Sequence, residues 1–245
     1  MNILVTGGNG QLGCSLRKIA GMYPQHRFVF TDVPEADITD RACIAALAEK
    51  HAIDLIVNCA AYTAVDRAES DAETAAKINV QGPEVLAGVA REQAIEASRC
   101  NACVIRTAWL YSEYGNNFVK TMLRLGRERD ELNVVYDQVG TPTYATDLAH
   151  AILRLAERGV SGFEVYHFSD EGAISWYDFA KAVFALAGID IRVGAIETAA
   201  YPTPARRPAY SVLAKDKIRE AGVRVPYWLD SLRECMAILS VPTEK

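Results

Sequence analysis

The opening stretch, MNILVTGGNGQLG, constrains the fold more than any other part of the chain. Asn2 to Thr6 is a short apolar run, glycines follow at 7, 8, 10 and 13, and Gly10 to Ala20 then carries apolar residues at helical spacing (Leu12, Leu16, Ile19, Ala20). Arg27 to Thr31 is strand-like again, so the first thirty residues read as one βαβ unit. The glycines fit G-x-G-x-x-G from Gly8 and G-x-x-G-x-x-G from Gly7 equally well. Both forms place a tight turn and a close backbone approach at a helix N-terminus, where a pyrophosphate is favoured. A plain strand-to-helix turn could use the same spacing. Here Asp32 stands 19 residues after Gly13 at the end of the second strand, where a carboxylate accepts a hydrogen bond from a ribose 2′-hydroxyl, and that context favours a dinucleotide. The carboxylate also repels a 2′-phosphate, which tilts the expectation toward NADH over NADPH, unless Arg17 or Lys18 of the first helix comes near.

The alternation continues. Thr39 to His51 reads as a helix, Asp54 to Cys59 as a buried strand, and Pro83 opens a further amphipathic helix. Ala102 to Thr107 and Glu164 to Phe168 read as strands; Asn117 to Arg127, Thr146 to Arg158, Trp176 to Ala187 and Trp228 to Leu239 read as helices. This order predicts an α/β fold, a Rossmann-like doubly wound parallel sheet with a second, smaller substrate-binding lobe. Prolines at 202, 204, 208 and 226 suit a loop-rich second lobe. The expected division is 1–112 with 143–170 for the dinucleotide, and 113–142 with 171–245 for the substrate.

With 50% hydrophobic residues, 23% charged and a formal net charge of -5, the chain offers no basic stripe for a nucleic acid. It has no apolar run of membrane-spanning length and no positively charged leader, so a cytoplasmic protein is expected, with its six cysteines reduced. Cys100-Asn-Ala-Cys103 matches C-x-x-C, but no second pair or flanking histidine completes a zinc set, and Cys103 runs into the apolar Val104-Ile105; it reads as core. No metal site is expected, and a homodimer is the prior for oligomeric state.

TGGNGQLG, the Thr31-Asp32 pair, ADITD at 36–40, VNCAAYTAVDRAES at 57–70 and IRTAWLYSEYGNNF at 105–118 together resemble the extended short-chain dehydrogenase/reductase superfamily. Within it they resemble the dTDP-4-dehydrorhamnose reductase family, as do DQVGTPTYATDLA at 137–149 and YPTPARRPAYSVL at 201–213. The resemblance implies NAD(P)H-dependent reduction of the 4-keto group of a dTDP-linked 6-deoxy sugar, giving dTDP-L-rhamnose. It implies that Gly7, Gly10, Gln11, Leu12 and Gly13 line the pyrophosphate, that Asp32 meets the ribose, and that Asp37 and Ile38 flank the adenine. Ala60, Ala61, Tyr62 and Thr63 would follow beside the cofactor, with Trp109, Asn117 and Arg207 on the sugar-nucleotide side. Two other functions use this scaffold: a non-catalytic NAD(P)-binding regulatory subunit like the β-subunit of methionine adenosyltransferase, and a nucleotide-sugar epimerase or dehydratase.

The family's proton donor is missing. Reducing a ketone leaves an alkoxide that must be protonated, and this superfamily uses a Tyr in Y-x-x-x-K with a nearby Ser or Thr. The reductase family carries these in an STDYVF-like strand and a YGxxKLxGE-like helix, and neither occurs here. Tyr177-Asp-Phe-Ala-Lys181 has the literal spacing, but in the expected second lobe, and it reads as a decoy. A seam is expected at or near Glu92/Gln93, with several tens of residues absent. Val85, Leu86, Val89 and Ala90 form one stripe, yet Ile95 falls about half a turn from Leu86 at ~100° per residue. Between the Asp54 and Ala102 strands only helix can be found, so an inner strand of the sheet would be lacking.

Overall fold

The structure is a computed structural model that describes residues 1–33, 35–93 and 101–240. The chain forms two compact units, Met1–Cys103 with Gly159–Glu164, and Val104–Arg158 with Val165–Lys245.

In the first unit β1 (Asn2–Thr6), α1 (Gln11–Ile19), β2 (Arg27–Phe30), α2 (Arg41–His51) and β3 (Leu55–Asn58) follow in order. The strands form a parallel sheet in the order β2-β1-β3, with Val5 opposite both Phe30 and Val57. Ile3, Leu4 and Val5 are fully buried, as a central strand requires. The chain leaves β1 toward β2 and then crosses back past β1 to reach β3. Right-handed crossovers therefore put α1 and α2 on opposite faces, and the order reverses between β1 and β3.

After β3 come α3 (Val65–Ala68), α4 (Ala72–Ala76), a π-helical turn over Lys77–Gln81, and α5 (Gly82–Gln93), with Pro83 in its first turn. Leu86 and Val89 of α5 pack with Ala36, Ile38, Ile44 and Ala48 into the core under α2. Arg41 pairs with Glu92 across the two helices. α5 runs unbroken through Glu92 and Gln93, so the chain is continuous at that bond. Ile95, whose phase argued for a seam, lies outside the described residues, as does Cys100.

Next in chain order are β4 (Ala102–Arg106), β5 (Leu110–Tyr111), α6 (Phe118–Glu128), β6 (Glu131–Val135), β7 (Val139–Gly140), β8 (Thr143–Tyr144) and α7 (Ala145–Arg158). They are followed by β9 (Phe163–His167), β10 (Ile174–Ser175), α8 (Trp176–Ala187), β11 (Arg192–Ile196), α9 (Asp216–Glu220) and α10 (Trp228–Leu239). Residues 201–215, the proline-rich stretch, carry no helix or extended strand. The second unit's core gathers Tyr111, Val119, Phe179, Val183 and Leu232 from β5, α6, α8 and α10. Its helices start where local chemistry says they should: Asn117 accepts from the Lys120 amide at 3.1 Å, and Ser175 and Asp178 form a reciprocal capping box.

β4 and β9 pair with each other in a two-stranded sheet of their own, separate from β2-β1-β3. Here one expectation is corrected. Cys103 was expected in the core and is exposed, together with Ala102 and Val104; Val104 is 44% and Phe163 68% exposed. An apolar strand in a doubly wound sheet is covered on both sides, and among the described residues β4 is paired with β9 alone.

Candidate functional site

The sheet order reverses between β1 and β3, and ligands of open α/β sheets sit outside the carboxyl ends of the strands at such a reversal. The residues there leave no room for side chains. Gly7 has φ +64°, and a Cβ on it would lie 2.5 Å from the Ala60 nitrogen and 2.7 Å from the Cys59 carbonyl carbon. A Cβ on Gly13 would lie 2.3 Å from the Gly7 oxygen and 2.6 Å from the Gly8 Cα. The loop closes through Gly10 N–H to the Gly7 carbonyl at 3.1 Å, and Gly10 caps α1 with no side chain to offer the first-turn amides of Gln11, Leu12 and Gly13. The result is a backbone cradle at a helix N-terminus, with the donor chemistry that holds a pyrophosphate.

Asp32 stands at the cradle's edge. Its Oδ2 accepts from the Asn9 amide at 2.8 Å and its Oδ1 from the Val33 amide at 2.8 Å, so both oxygens are aimed and each keeps lone-pair capacity for a hydroxyl. Of the two cations considered for this edge, Arg17 reaches back to it, with Nη2 3.5 Å from the Gly8 oxygen and its guanidinium 4.3 Å from the Phe30 ring centroid. Asp37 is exposed and turned onto its own loop. Its Oδ1 accepts from both the amide and the hydroxyl of Thr39 at 2.8 Å, and those bonds, the backbone one foremost, hold its pKa below the ordinary aspartate value. The Ile38 side chain is buried against Gly82, whose added Cβ would meet its Cδ1 at 2.4 Å, which leaves the Ile38 backbone as the part able to face a ligand.

Past β3, Asn58 Oδ1 accepts from the Thr6 hydroxyl at 2.7 Å and from the Ala60 amide at 3.1 Å, tying the two strand ends together. The following Ala60-Ala61-Tyr62-Thr63 stretch is held by a residue that sequence reasoning missed. Asn79, in the π-turn, accepts from the Tyr62 amide at 2.8 Å and donates to the Tyr62 carbonyl at 3.1 Å. π-turns gather at functional sites, but nothing in the spacing around residue 79 announces one. Burial pushes the Cys59 thiol up to about 12, so it stays protonated beside the cradle.

In the second unit Trp109 has φ +50°, the left-handed region that a bulky residue rarely enters. Its indole stacks on Trp176 with centroids 3.5 Å apart and 12° between planes, and a Cβ on Gly140 would strike it at 2.6 Å. The 201–213 loop is strapped to the same place. The Val139 amide donates to the Ala209 carbonyl and the Ser211 amide to the Val139 carbonyl, both at 2.8 Å, which sets Arg207 two residues before the strap. Trp109 and the Arg207 loop thus converge on β7. The Asn117 amide group caps α6 and donates to the Ser112 and Tyr114 carbonyls at 2.8 and 3.2 Å, a structural employment for a residue expected to face the nucleotide. Tyr177 packs on the second unit's core, and Lys181 on the same helix is exposed. Among the described residues no cluster of His, Cys, Asp and Glu could hold a metal ion, and no helix is long and apolar enough to cross a membrane.

The family model described as the RmlD substrate binding domain matches residues 1–92 and 88–241. The two matches meet where the seam was expected. The dTDP-4-dehydrorhamnose reductase of Aggregatibacter actinomycetemcomitans is 35% identical over 289 aligned positions, covering 96% of this chain and 98% of that protein. Since this chain has only 245 residues, at least 44 of those positions (289 less 245) have no counterpart here. Among solved structures, a dTDP-4-dehydrorhamnose reductase from Clostridium acetobutylicum is 35% identical with a TM-score of 0.90, covering 98% of this chain and 100% of that one. The Bacillus anthracis dTDP-4-dehydrorhamnose reductase in complex with NADP is 30% identical with a TM-score of 0.87, covering 97% and 99%. A cradle without room for side chains, a carboxylate aimed at its edge and these near-complete matches converge on one conclusion: the chain belongs to the dTDP-4-dehydrorhamnose reductase family, a family of NAD(P)H-dependent oxidoreductases.

Proposed function

We propose that the first unit binds NADH or NADPH and the second a dTDP-linked 4-keto-6-deoxy sugar, for reduction of dTDP-4-dehydrorhamnose to dTDP-L-rhamnose. The observation that carries this reading is the closed cradle at the sheet's reversal point, where Gly7 and Gly13 admit no Cβ and Asp32 is aimed by the Asn9 amide. The identity shared with reductases, one of them described with NADP, supports the choice of chemistry. When bound, the nicotinamide supplies the hydride. Gly7, Gly10, Gln11, Leu12 and Gly13 orient the pyrophosphate, Asp32 the ribose, and the backbone of Asp37 and Ile38 the adenine. Ala60 to Thr63 lie alongside. Trp109 offers its indole to the sugar, Asn117 borders the nucleotide, and Arg207 suits the diphosphate because a guanidinium pairs with it through two hydrogen bonds. Residues 143–170 belong functionally with the cofactor domain. Of these, 143–158 and 165–170 cluster with the second unit and Gly159–Glu164 with the first. The protein works as a homodimer in the cytoplasm, which light scattering and fractionation test.

The same seam favours a second reading for the chain as it stands, a binding protein with little turnover. General acid catalysis is worth about 10²- to 10⁴-fold, and the family's Tyr-Lys donor is absent. NADH absorbance followed with dTDP-4-dehydrorhamnose decides between them. Turnover should be at least ~10²-fold below that of a chimera with the Aggregatibacter segment inserted between Glu92 and Gln93. Equal rates would mean that another residue of this chain donates the proton. Cofactor binding without turnover in both proteins would favour the regulatory role.

A further inference from the structure

Lys215 ends the proline-rich 201–215 stretch, immediately before α9, and only 5% of it is exposed. A lysine is almost never buried this far unless its ammonium is paired. Here the Nζ donates to the Asp170 carbonyl at 2.9 Å and to the Ser169 hydroxyl at 3.4 Å, with Glu171 Oε2 at 3.9 Å. Burial lowers its pKa and the Glu171 carboxylate opposes that fall, so the charge is kept inside at a cost. The receiving segment is itself fixed. The Asp170 amide donates to the Pro142 carbonyl at 3.2 Å, Asp170 Oδ2 accepts from the Tyr144 amide at 3.1 Å, and the Trp228 amide donates to the Glu171 carbonyl at 3.0 Å. Through Asp170 the ammonium therefore fastens the end of the loop to residues 139–144, the same stretch that carries the Val139 strap. The loop has no helix or extended strand to hold it, so its course depends on such attachments.

We propose that Lys215 is a positioning residue for the sugar nucleotide: its buried ammonium holds the 201–215 loop so that Arg207 meets the diphosphate. The inference rests on the reading of Arg207 given above. A guanidinium pairs with a diphosphate through two parallel hydrogen bonds only when its plane is set, so an error in the loop's course is felt in full at Arg207. The Val139 strap alone sets less. Tyr210, between its two bonds, is 67% exposed, so apolar packing adds little there, and the buried ammonium supplies the persistence. Lysine suits this task, since its three donors serve a carbonyl and a hydroxyl at different angles while its stem packs as an apolar chain.

Calorimetric titration of the whole 245-residue chain with dTDP, which carries the diphosphate without the sugar, tests it in a double-mutant cycle that needs no turnover. Arg207→Ala should weaken dTDP by about tenfold or more, the usual loss for a charge-assisted hydrogen bond. Lys215→Met keeps an apolar stem and removes the ammonium. It should weaken dTDP by about threefold or more alone, and by less than about twofold again when added to Arg207→Ala. NAD⁺ affinity, which belongs to the first unit, should stay within about twofold throughout. Trypsin should also cut the Arg206–Arg207 bond, where Arg206 is exposed, faster in folded Lys215→Met than in the unaltered chain. Equal losses from Lys215→Met with and without Arg207 would mean that it merely supports the fold, and would overturn the proposal. So would undiminished dTDP affinity in Lys215→Met, or unchanged cleavage at Arg206–Arg207, and in those cases the reading of Arg207 stands. If Arg207→Ala binds dTDP as the unaltered chain does, that reading falls and the proposal falls with it. Should Lys215→Met fail to fold, Ser169→Ala, which takes one acceptor from the ammonium, must show the same coupling to Arg207, and additive losses there would overturn the proposal.

Discussion

Gly7 and Gly188 share a φ of +64° and differ in what surrounds them, which lets the closure of the cradle be measured. A Cβ on Gly188, the left-handed cap of α8, would have nothing within 4 Å. Gly188→Ala therefore carries only the left-handed penalty, roughly 1–2 kcal/mol, less the ~0.4–1 kcal/mol that alanine returns by restricting the unfolded chain. A net loss of roughly 0–1.6 kcal/mol follows. Gly7→Ala meets the same penalty and adds contact with the Ala60 nitrogen at 2.5 Å, the Cys59 carbonyl carbon at 2.7 Å and the Ala60 Cα at 2.8 Å. All three are backbone atoms of the chain leaving β3, so relief requires β1 and β3 to part at their carboxyl ends, an overpacking cost of about 1–3 kcal/mol. The total is about 1–4.6 kcal/mol. Gly21, with neither positive φ nor any neighbour within 4 Å, is the control, and its alanine variant should be neutral or slightly stabilised. Urea unfolding followed by far-ultraviolet circular dichroism gives the three differences. Tryptophan fluorescence adds a local probe, since Trp109, Trp176 and Trp228 all belong to the second unit and report Gly188→Ala directly. Gly7→Ala should also weaken NAD⁺ by tenfold or more. Equal destabilisation of Gly7→Ala and Gly188→Ala would show that the strand ends spread freely, and the argument for a closed pyrophosphate cradle would fail with them.

Three further outcomes are expected. Asp170 is fully buried, and burial first, then the nearby Asp147 carboxylate, raise its pKa to about 8. The folded protein then holds one proton more than the unfolded chain between about pH 4 and pH 8, so stability falls as pH rises across that window, by up to about 1.4 kcal/mol per unit. Asp170→Asn should flatten the dependence of the urea midpoint on pH and gain most near pH 8, and parallel profiles for the two proteins would refute this. Gly140→Ala should cost about 1–3 kcal/mol and shift the tryptophan emission, because the new Cβ strikes the Trp109 indole at 2.6 Å; unchanged emission would place the indole elsewhere. In the chimera carrying the missing segment, Tyr177→Phe should leave turnover nearly unchanged, and a loss of about 10²-fold would make Tyr177 the proton donor.

The binding half of the molecule was legible because its physics is local. Glycines at 7, 10 and 13, a strand before them and Asp32 after them specify a turn, a helix N-terminus and a carboxylate at its edge within one βαβ unit. Asn117 and Ser175 start α6 and α8 for equally local reasons. What stayed hidden depends on contacts between distant segments. Asn79 grips the Tyr62 backbone only because the π-turn brings position 79 beside it. Arg17 lies over the Phe30 ring, a contact that no spacing rule connects to it.

The seam reverses this relation, since there the sequence pattern explains a structural oddity. A run such as Ala102-Cys-Val-Ile-Arg106 is apolar because sheets of this architecture bury their inner strands, yet four of its five residues are exposed and, among the described residues, β4 pairs with β9 alone. The resemblance implies that the segment before this strand carries both the inner strand and the proton-donating tyrosine. We propose that the 44 or more positions without a counterpart held the chemistry and the cover of β4 together. The two losses test each other. If the inserted segment restores turnover in the chimera, the same insertion must also bury Cys103, now exposed, and slow its reaction with a thiol reagent. Turnover regained with Cys103 as reactive as before would mean that the donor had returned without its strand, and the single-segment account would be wrong.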